Sequence, residues 1–263
     1  MPLDQPNSAG EMPFLDHLEE LRWRIVKALV AVMGAFFVSM LVCTNYDVIA
    51  LMVSPITPYL HGKNLIVTHP VEKFTILLKI ATGFALVIAS PAVAYQVWAF
   101  LSPALTAKER RVIIPVLIFA AVLFLAGVAM SVFVFVPVTM GLMDNIKTAA
   151  IEPFYSAGEY FGFLFSVSLA FGVMFELPIL ILALTALGLV TPSFLAKYRR
   201  HAFVVLLVVC EIITPGDFII STLMLFIPVY GLYELSILAS WVVHRARRRR
   251  EAAAEAIGAG AGA

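Results

Sequence analysis

Charge is what this 263-residue sequence has least of. Asp, Glu, Lys and Arg make up 13% of it and hydrophobic residues 62%, against about 25% and about 45–50% in soluble globular chains. With a mean hydropathy of +0.97, no soluble fold of this length hides so much apolar surface, and lipid must be the solvent for most of it. Cysteine is scarce too. Cys43 and Cys210 both sit inside apolar runs, which argues against a disulfide framework or a metal centre and for small core residues. None of the five histidines falls in an H-E-x-x-H metal pattern or beside a nucleophile, and there is no G-x-x-x-x-G-K-[ST] loop or Gly-rich dinucleotide fingerprint. Intramembrane proteolysis, nucleotide-driven pumping and dinucleotide chemistry all lack their motifs. No cofactor, metal or nucleic-acid partner is called for. The N-terminal region does not read as a cleavable signal, because charges from Asp16 to Lys27 precede the first apolar run and no A-x-A site follows a short apolar region.

What is present is a series of long apolar runs separated by polar links. Residues 1–12 read as a loose tail. Phe14 to Ile25 spaces Leu15, Leu18, Leu21 and Ile25 on one helical face and predicts a short interfacial amphipathic helix leading into a first span at about Ile25–Cys43. A loop with short helical pieces covers about Thr44 to Glu72. Further spans are expected at about Phe74–Phe100, Val112–Val136, Phe161–Leu189 and Phe218–Val243. Between the last two lies an apolar run of about 12 residues, Ala202 to Ile213, which as a helix reaches roughly 18 Å, short of a ~30 Å hydrocarbon core. The fold class expected is therefore an all-α membrane protein. Six transmembrane helices, kinked at Pro91, Pro115, Pro178 and Pro228, form a concave bundle with the last two spans short. The membrane domain takes in 13–243, and 244–263 reads as a basic, then Ala/Gly-rich, disordered tail.

Cations sort to one side. Arg22, Arg24 and Lys27, then Lys108, Arg110 and Arg111, then Lys197, Arg199 and Arg200, then Arg245 and Arg247 to Arg250 fall in alternate links, while only Lys63, Lys73 and Lys147 occupy the others. The positive-inside rule puts both termini in the cytoplasm and makes the short fifth segment a shallow span, beside which the bilayer should thin or water should enter. The arginines of the tail suit anionic lipid.

Several acids stand out. Glu176 lies within a span beside Pro178, where an unpaired charge costs a few kcal/mol, and reads either as functional or as a hydrogen-bonded helix tie. Glu211 and Glu234, near span ends, suit snorkelling or helix pairing, and Lys79 suits an acid partner or an interface. Glu19, Glu20 and Glu109 sit among cations. Two readings stay open for them: local ion pairs such as Glu20 with Arg24, worth about 0.3–0.5 kcal/mol, or carboxylates that receive a cationic ligand, since a carboxylate binds guanidinium bidentately and ammonium cannot reproduce that geometry. Gly158 and Gly162 form a lone G-x-x-x-G, a weak helix-contact signal.

Five segments together resemble one family. They are His17-Leu18-Glu19-Glu20-Leu21-Arg22, the stretch Tyr95-Gln96-Val97-Trp98-Ala99-Phe100-Leu101-Ser102-Pro103-Ala104-Leu105, Lys108-Glu109-Arg110-Arg111, Phe171-Gly172-Val173-Met174-Phe175-Glu176-Leu177-Pro178 and Thr214-Pro215-Gly216-Asp217. In this order, across about Phe14 to Val243, they look like TatC, the receptor core of the twin-arginine protein translocase. The resemblance implies a non-enzymatic signal-peptide receptor in the bacterial cytoplasmic membrane. Such a receptor acts in the export of folded cargo driven by the proton-motive force, with single-span TatA/TatB-type partners, membrane lipids and self-association in the receptor complex. It places signal-peptide binding at Glu20 and Glu109 with Phe100, Glu19 and Arg22 nearby, and intramembrane partner contact at Glu176, Pro178 and Asp217. Three departures stand near the last external turn. Gly216 precedes Asp217 where the family often has Pro or Thr, Ser221-Thr222 replaces an expected Ser-Gln pair, and Glu211 is not expected from the family. The competing reading, a proton-coupled small-molecule transporter using Glu176, Glu211 and Glu234, calls for an internal repeat, and none is evident between Phe14–Val136 and Pro137–Val243.

Overall fold

A computed structural model describes the backbone of residues 12–101, 113–144, 154–186, 188–214 and 219–261, and the side chains of 18–100, 114–144, 154–186, 188–214 and 219–245. Among the described residues there is no strand beyond an isolated parallel bridge between Ile66 and Ser156. The helices are α1 (Met12–Asn45), α2 (Val48–Val53) followed by a 3-10 turn (Ser54–Leu60), α3 (Glu72–Leu101), α4 (Ile113–Met130) running through a π-helical turn (Ser131–Phe135) into α5 (Val136–Asp144), α6 (Ala157–Phe175), α7 (Leu177–Ala186), α8 (Pro192–Lys197), α9 (Arg199–Ile213) and α10 (Ile220–Ala261).

Among the described residues, five stretches are long and apolar enough to cross a membrane: Leu18–Asn45, Glu72–Phe100, Ile114–Asp144, Ala157–Ala186 and Ile220–Arg245. The expected all-α membrane architecture holds, with α9 as the shorter sixth helix. Its 15 residues reach about 22 Å. Shortness is confined to α9, because the 26 residues of Ile220–Arg245 reach about 39 Å, so the last span is full length where two short ones were expected. α9 lies antiparallel along α10. Arg199 meets Glu234, Phe203 meets Phe226 and Tyr230, and Thr214 meets Thr222.

Local sequence explains where helices run on and where they stop. The amphipathic segment and the first span are one continuous helix of 34 residues, because no proline interrupts residues 14–43. The third span does not end at Val136. Helix continues past Pro137 to Asp144, and the π-helical turn immediately before Pro137 is the kind of register change that accommodates a ring otherwise pressed on the i−4 carbonyl. Pro115 is the third described residue of α4, and the Arg111 carbonyl that its ring would face lies outside the described residues. Pro91 frees the Val87 carbonyl, and the Ser90 hydroxyl donates to that oxygen at 2.8 Å, restoring a bond that lipid cannot supply. The backbone of α10 stays helical to Ala261, beyond the point where composition suggested a structureless tail; Arg, Ala and Glu are strong helix formers and continue the α10 ladder.

The bundle centres on α6 and α7. Half of that apolar stretch is buried, against 11% for α1, so α1 is a peripheral helix. It rests on α3 through Ala35, Ala85 and Ala89, small residues that let two helices approach closely. The main core joins Phe135, Phe161, Leu164 and Phe171 to Ile56 and Ile80 on one side and to Leu225, Val229 and Ile237 on the other. At the end of the bundle where α3 begins, a cap of α2, the 3-10 turn and residues 61–71 closes over α6. Ile66 N–H donates to the Tyr155 carbonyl at 3.0 Å, Ala157 N–H to the Ile66 carbonyl at 2.8 Å and Tyr160 O–H to the Met52 carbonyl at 2.8 Å, while His61 Nε2 lies 2.8 Å from Asp144 Oδ1.

Candidate recognition and intramembrane sites

Glu20 sits near the start of α1, and Phe100 near the end of α3. The antiparallel contact of these helices, with Ala35 beside Ala85 and Ala89 and with Val32 and Val93 packed on the same cluster, carries both residues to one end of the bundle. There the Glu20 carboxylate accepts from Arg24 Nε at 3.0 Å and from a terminal nitrogen of the same guanidinium through one oxygen, Oε1. The bland expectation of a local i,i+4 ion pair is therefore met. The pair is a quarter to a third exposed, so its net worth stays near the ~0.3–0.5 kcal/mol of helical surface pairs. Glu19 and Arg22 are exposed one helical step away. Phe100 is half-buried, two residues beyond Trp98, which packs on Ala120, Ile179 and Ala183. Glu109, with Lys108, Arg110 and Arg111, lies outside the described residues, as does Asp217.

Glu176 is the hinge between α6 and α7. Pro178 removes the N–H that would bond Met174, α6 stops at Phe175, and Glu176 caps it with its N–H on the Val173 carbonyl at 3.1 Å. Its own carbonyl takes up Ile179 and Leu180, each at 3.0 Å, so α7 restarts at once. Pro178 is buried and Glu176 half-buried. Among the described residues no donor reaches the Glu176 carboxyl within hydrogen-bond distance, so it is not the tie between helices that one reading made it.

The other intramembrane acids are occupied. Glu234 Oε2 lies 2.9 Å from a guanidinium nitrogen of Arg199, and its Oε1 accepts from Tyr230 O–H at 3.0 Å, so it pairs α10 with α9. Glu211 accepts from the Thr222 hydroxyl at 2.5 Å, and Thr222 in turn meets Thr214 at 3.2 Å. Two of the departures from the family pattern, Glu211 and Thr222, are thus bonded to each other. Lys79 donates to the Gly158 carbonyl at 3.4 Å, and no carboxylate lies within ion-pair distance of it among the described residues. Cys43 and Cys210 are free thiols, and no group of three metal-ligating side chains occurs among the described residues.

Sequence reasoning missed Glu72. Its carboxylate accepts from the backbone N–H of Thr68 (2.5 Å) and His69 (3.1 Å), from the Thr68 hydroxyl (2.9 Å), and across the bundle from Gly158 N–H (2.7 Å) and the Ser156 hydroxyl (3.2 Å). Pro70 and an acid in the first turn do signal a helix start, but bonds to residues 84 and 86 positions away leave no local trace. The Gly158/Gly162 pair does face α3: a Cβ on Gly158 would stand 2.4 Å from Glu72 Oε1, and one on Gly162 would stand 3.6 Å from Lys79 Nζ.

Residues 16–228 match the family described as "Sec-independent protein translocase protein (TatC)". The chain is similar to the Sec-independent protein translocase protein TatCd of Bacillus subtilis, with 35% identity over 246 residues, covering 94% of this chain and 98% of that one. It is similar to the TatC proteins of Halothiobacillus neapolitanus (33% over 259 residues, 98% and 70%) and Escherichia coli (33% over 241 residues, 91% and 92%). Its fold superposes on a solved structure described as a crystal structure of the twin arginine translocase receptor TatC with a TM-score of 0.74 at 30% identity, covering 86% of this chain and 99% of that one.

Proposed function

The chain belongs to the TatC family of Sec-independent protein translocases, and from that premise we propose that it is the membrane receptor for twin-arginine signal peptides, working in the bacterial cytoplasmic membrane with both termini in the cytoplasm. The orientation rests on the sorting of Lys and Arg between alternate links. Transport of folded cargo then draws on the proton-motive force and on single-span TatA/TatB-type partners, and the receptor self-associates.

The observation that supports the recognition site is the state of Glu20. Its carboxylate is partly exposed at one end of the α1–α3 pair, and the intrahelical Arg24 guanidinium is bonded to it. That partner is worth a few tenths of a kcal/mol, so an incoming guanidinium displaces Arg24 at small cost and gains a charge-assisted, bidentate contact. Glu109 on the adjoining link is the second acceptor, with Phe100, Glu19 and Arg22 around the pair. The apolar part of the signal peptide runs from there along the bundle toward Glu176. The Glu176 carboxyl, poised at the Pro178 break, takes a polar side chain from a partner helix, which lipid cannot provide, and Asp217 contributes at the last external turn. The transporter reading has no such support, since Glu211 and Glu234 are held by Thr222, Arg199 and Tyr230 rather than left for a relay.

Site-specific crosslinking in membranes tests the recognition site. A twin-Arg signal peptide should label the wild type strongly and label Glu20→Gln and Glu109→Gln at least about tenfold less, the loss expected for a charge-assisted hydrogen bond of about 1.5–3 kcal/mol. A twin-Lys peptide should label the wild type equally poorly. Unchanged labelling in both variants would reduce the acids to structural ion pairs.

A further inference from the structure

A groove of ≈ 690 Å³ opens between α3, α4 and α6, and the receptor reading leaves it unused. It begins beside Met52, Thr75 and Lys79 and ends beside Val87, Phe124 and Leu169. Along α3 that is twelve residues, about 18 Å, close to the thickness of one leaflet of a ~30 Å hydrocarbon core. Its wall is almost wholly apolar. Phe165 turns a ring edge toward Gly83, where a Cβ would stand 2.3 Å from it, so the missing side chain lets the aromatic floor sink and the groove deepen.

Charge is confined to one end. Lys79 is exposed, bonded only to the Gly158 carbonyl at 3.4 Å, and no carboxylate pairs with it among the described residues. Gly158 is the second residue of α6, so the ammonium sits at the level where α6 leaves the membrane, the depth of lipid headgroups. An unpaired cation at the lip of an apolar slot one leaflet long calls for an amphiphile with an anionic head and a single extended tail in the slot.

We propose that this groove is a binding site for an anionic phospholipid, with the phosphate on Lys79 and one acyl chain lying along α3 between α4 and α6. The lipid belongs to the leaflet opposite the Glu20 end. It covers the apolar wall that α4 and α6 leave open and supplies the counter-charge that the protein lacks.

The test is native mass spectrometry of the full-length chain released from mixed vesicles of phosphatidylglycerol and phosphatidylcholine. The wild type should retain one phospholipid per chain, with phosphatidylglycerol favoured about fivefold over its vesicle fraction, which is the ~1 kcal/mol that one basic residue gives an anionic lipid. Lys79→Gln should keep a bound lipid but lose that preference. Lys73→Gln, which removes an exposed cation of α3 outside the groove, should leave it intact. Ala129→Trp, an exposed groove residue enlarged to fill the slot, should lose the lipid altogether. Melting temperatures matching the wild type exclude misfolding, and competition between the two lipids on the wild type needs no variant. No retained lipid on the wild type, no headgroup preference, or full retention by Ala129→Trp would overturn the proposal. Displacement of phosphatidylcholine but never of phosphatidylglycerol by a signal peptide would support it, and binding of peptide alone would assign the groove to polypeptide instead.

Discussion

Gly127 on α4 is the position where the packing of this bundle is most exposed to a single methyl group. A Cβ there would stand 2.6 Å from the Phe171 carbonyl oxygen and 2.9 Å from Phe175 Cγ. The first obstacle is backbone, which no rotamer change can clear. Restoring an ordinary contact of 3.4 Å requires α4 and α6 to separate by about 0.8 Å, and close approach through small residues is what holds membrane helices together. Overpacking of this kind costs about 1–3 kcal/mol, against which alanine recovers about 1 kcal/mol of helix propensity. Gly127→Ala should therefore destabilise by up to about 2 kcal/mol. Gly172 meets the edge of Phe124 at 2.7 Å, a side chain that can turn, so Gly172→Ala should cost less. Gly34 and Gly231 have nothing within 4 Å, and alanine there should be neutral or stabilising by up to about 1 kcal/mol. Reversible unfolding in detergent, read as four melting curves under one condition, gives the ranking. Because the crossing lies one turn from the Glu176 hinge, Gly127→Ala should also weaken partner assembly while Arg-pair binding stays intact. If Gly127→Ala melts no lower than Gly34→Ala, the close approach of α4 and α6 is not what stabilises this part of the bundle.

Two further outcomes follow from the ion pairs and phenols. Removing Arg199 strands Glu234 between α9 and α10; with both side chains a third to a half exposed the loss should be about 1 kcal/mol, and the swapped pair Arg199→Glu with Glu234→Arg should recover most of it in a double-mutant cycle. Tyr155, outside the spans, has its hydroxyl pushed above the ordinary tyrosine range by burial first and by the negative charge of Asp144 second. A raised folded-state value means the stability it contributes is complete below about pH 10 and is lost as pH rises through the folded value. Ultraviolet titration should show a late phenolate that ionises earlier in Asp144→Asn, and no change in that variant would exclude the carboxylate as a cause.

Solvent class, helical content, the order and rough extent of the spans and the short fifth helix were legible in the sequence, because apolar run length and the placement of Lys and Arg are properties of the chain alone; the run of the third span past Val136 to Asp144 was not. The break at Glu176 was legible as well, since a proline cannot supply the N–H that continues a helix. Ambiguity remained wherever a residue's role depends on what faces it. Glu176, Glu211 and Glu234 are alike in sequence, each a glutamate in an apolar run. Only tertiary structure separates them, giving Glu211 the Thr222 hydroxyl, Glu234 the Arg199 guanidinium and Glu176 no donor among the described residues. The same holds for Glu72, whose partners Ser156 and Gly158 lie at the start of α6, and for Pro137, whose effect depends on a π-helical turn rather than on proline itself. Hydropathy and charge sum over neighbours along the chain and are fixed before folding. A hydrogen bond or a clash is set within a few tenths of an ångström between residues brought together by folding, and that was decided by the packing of α3, α4, α6 and α10.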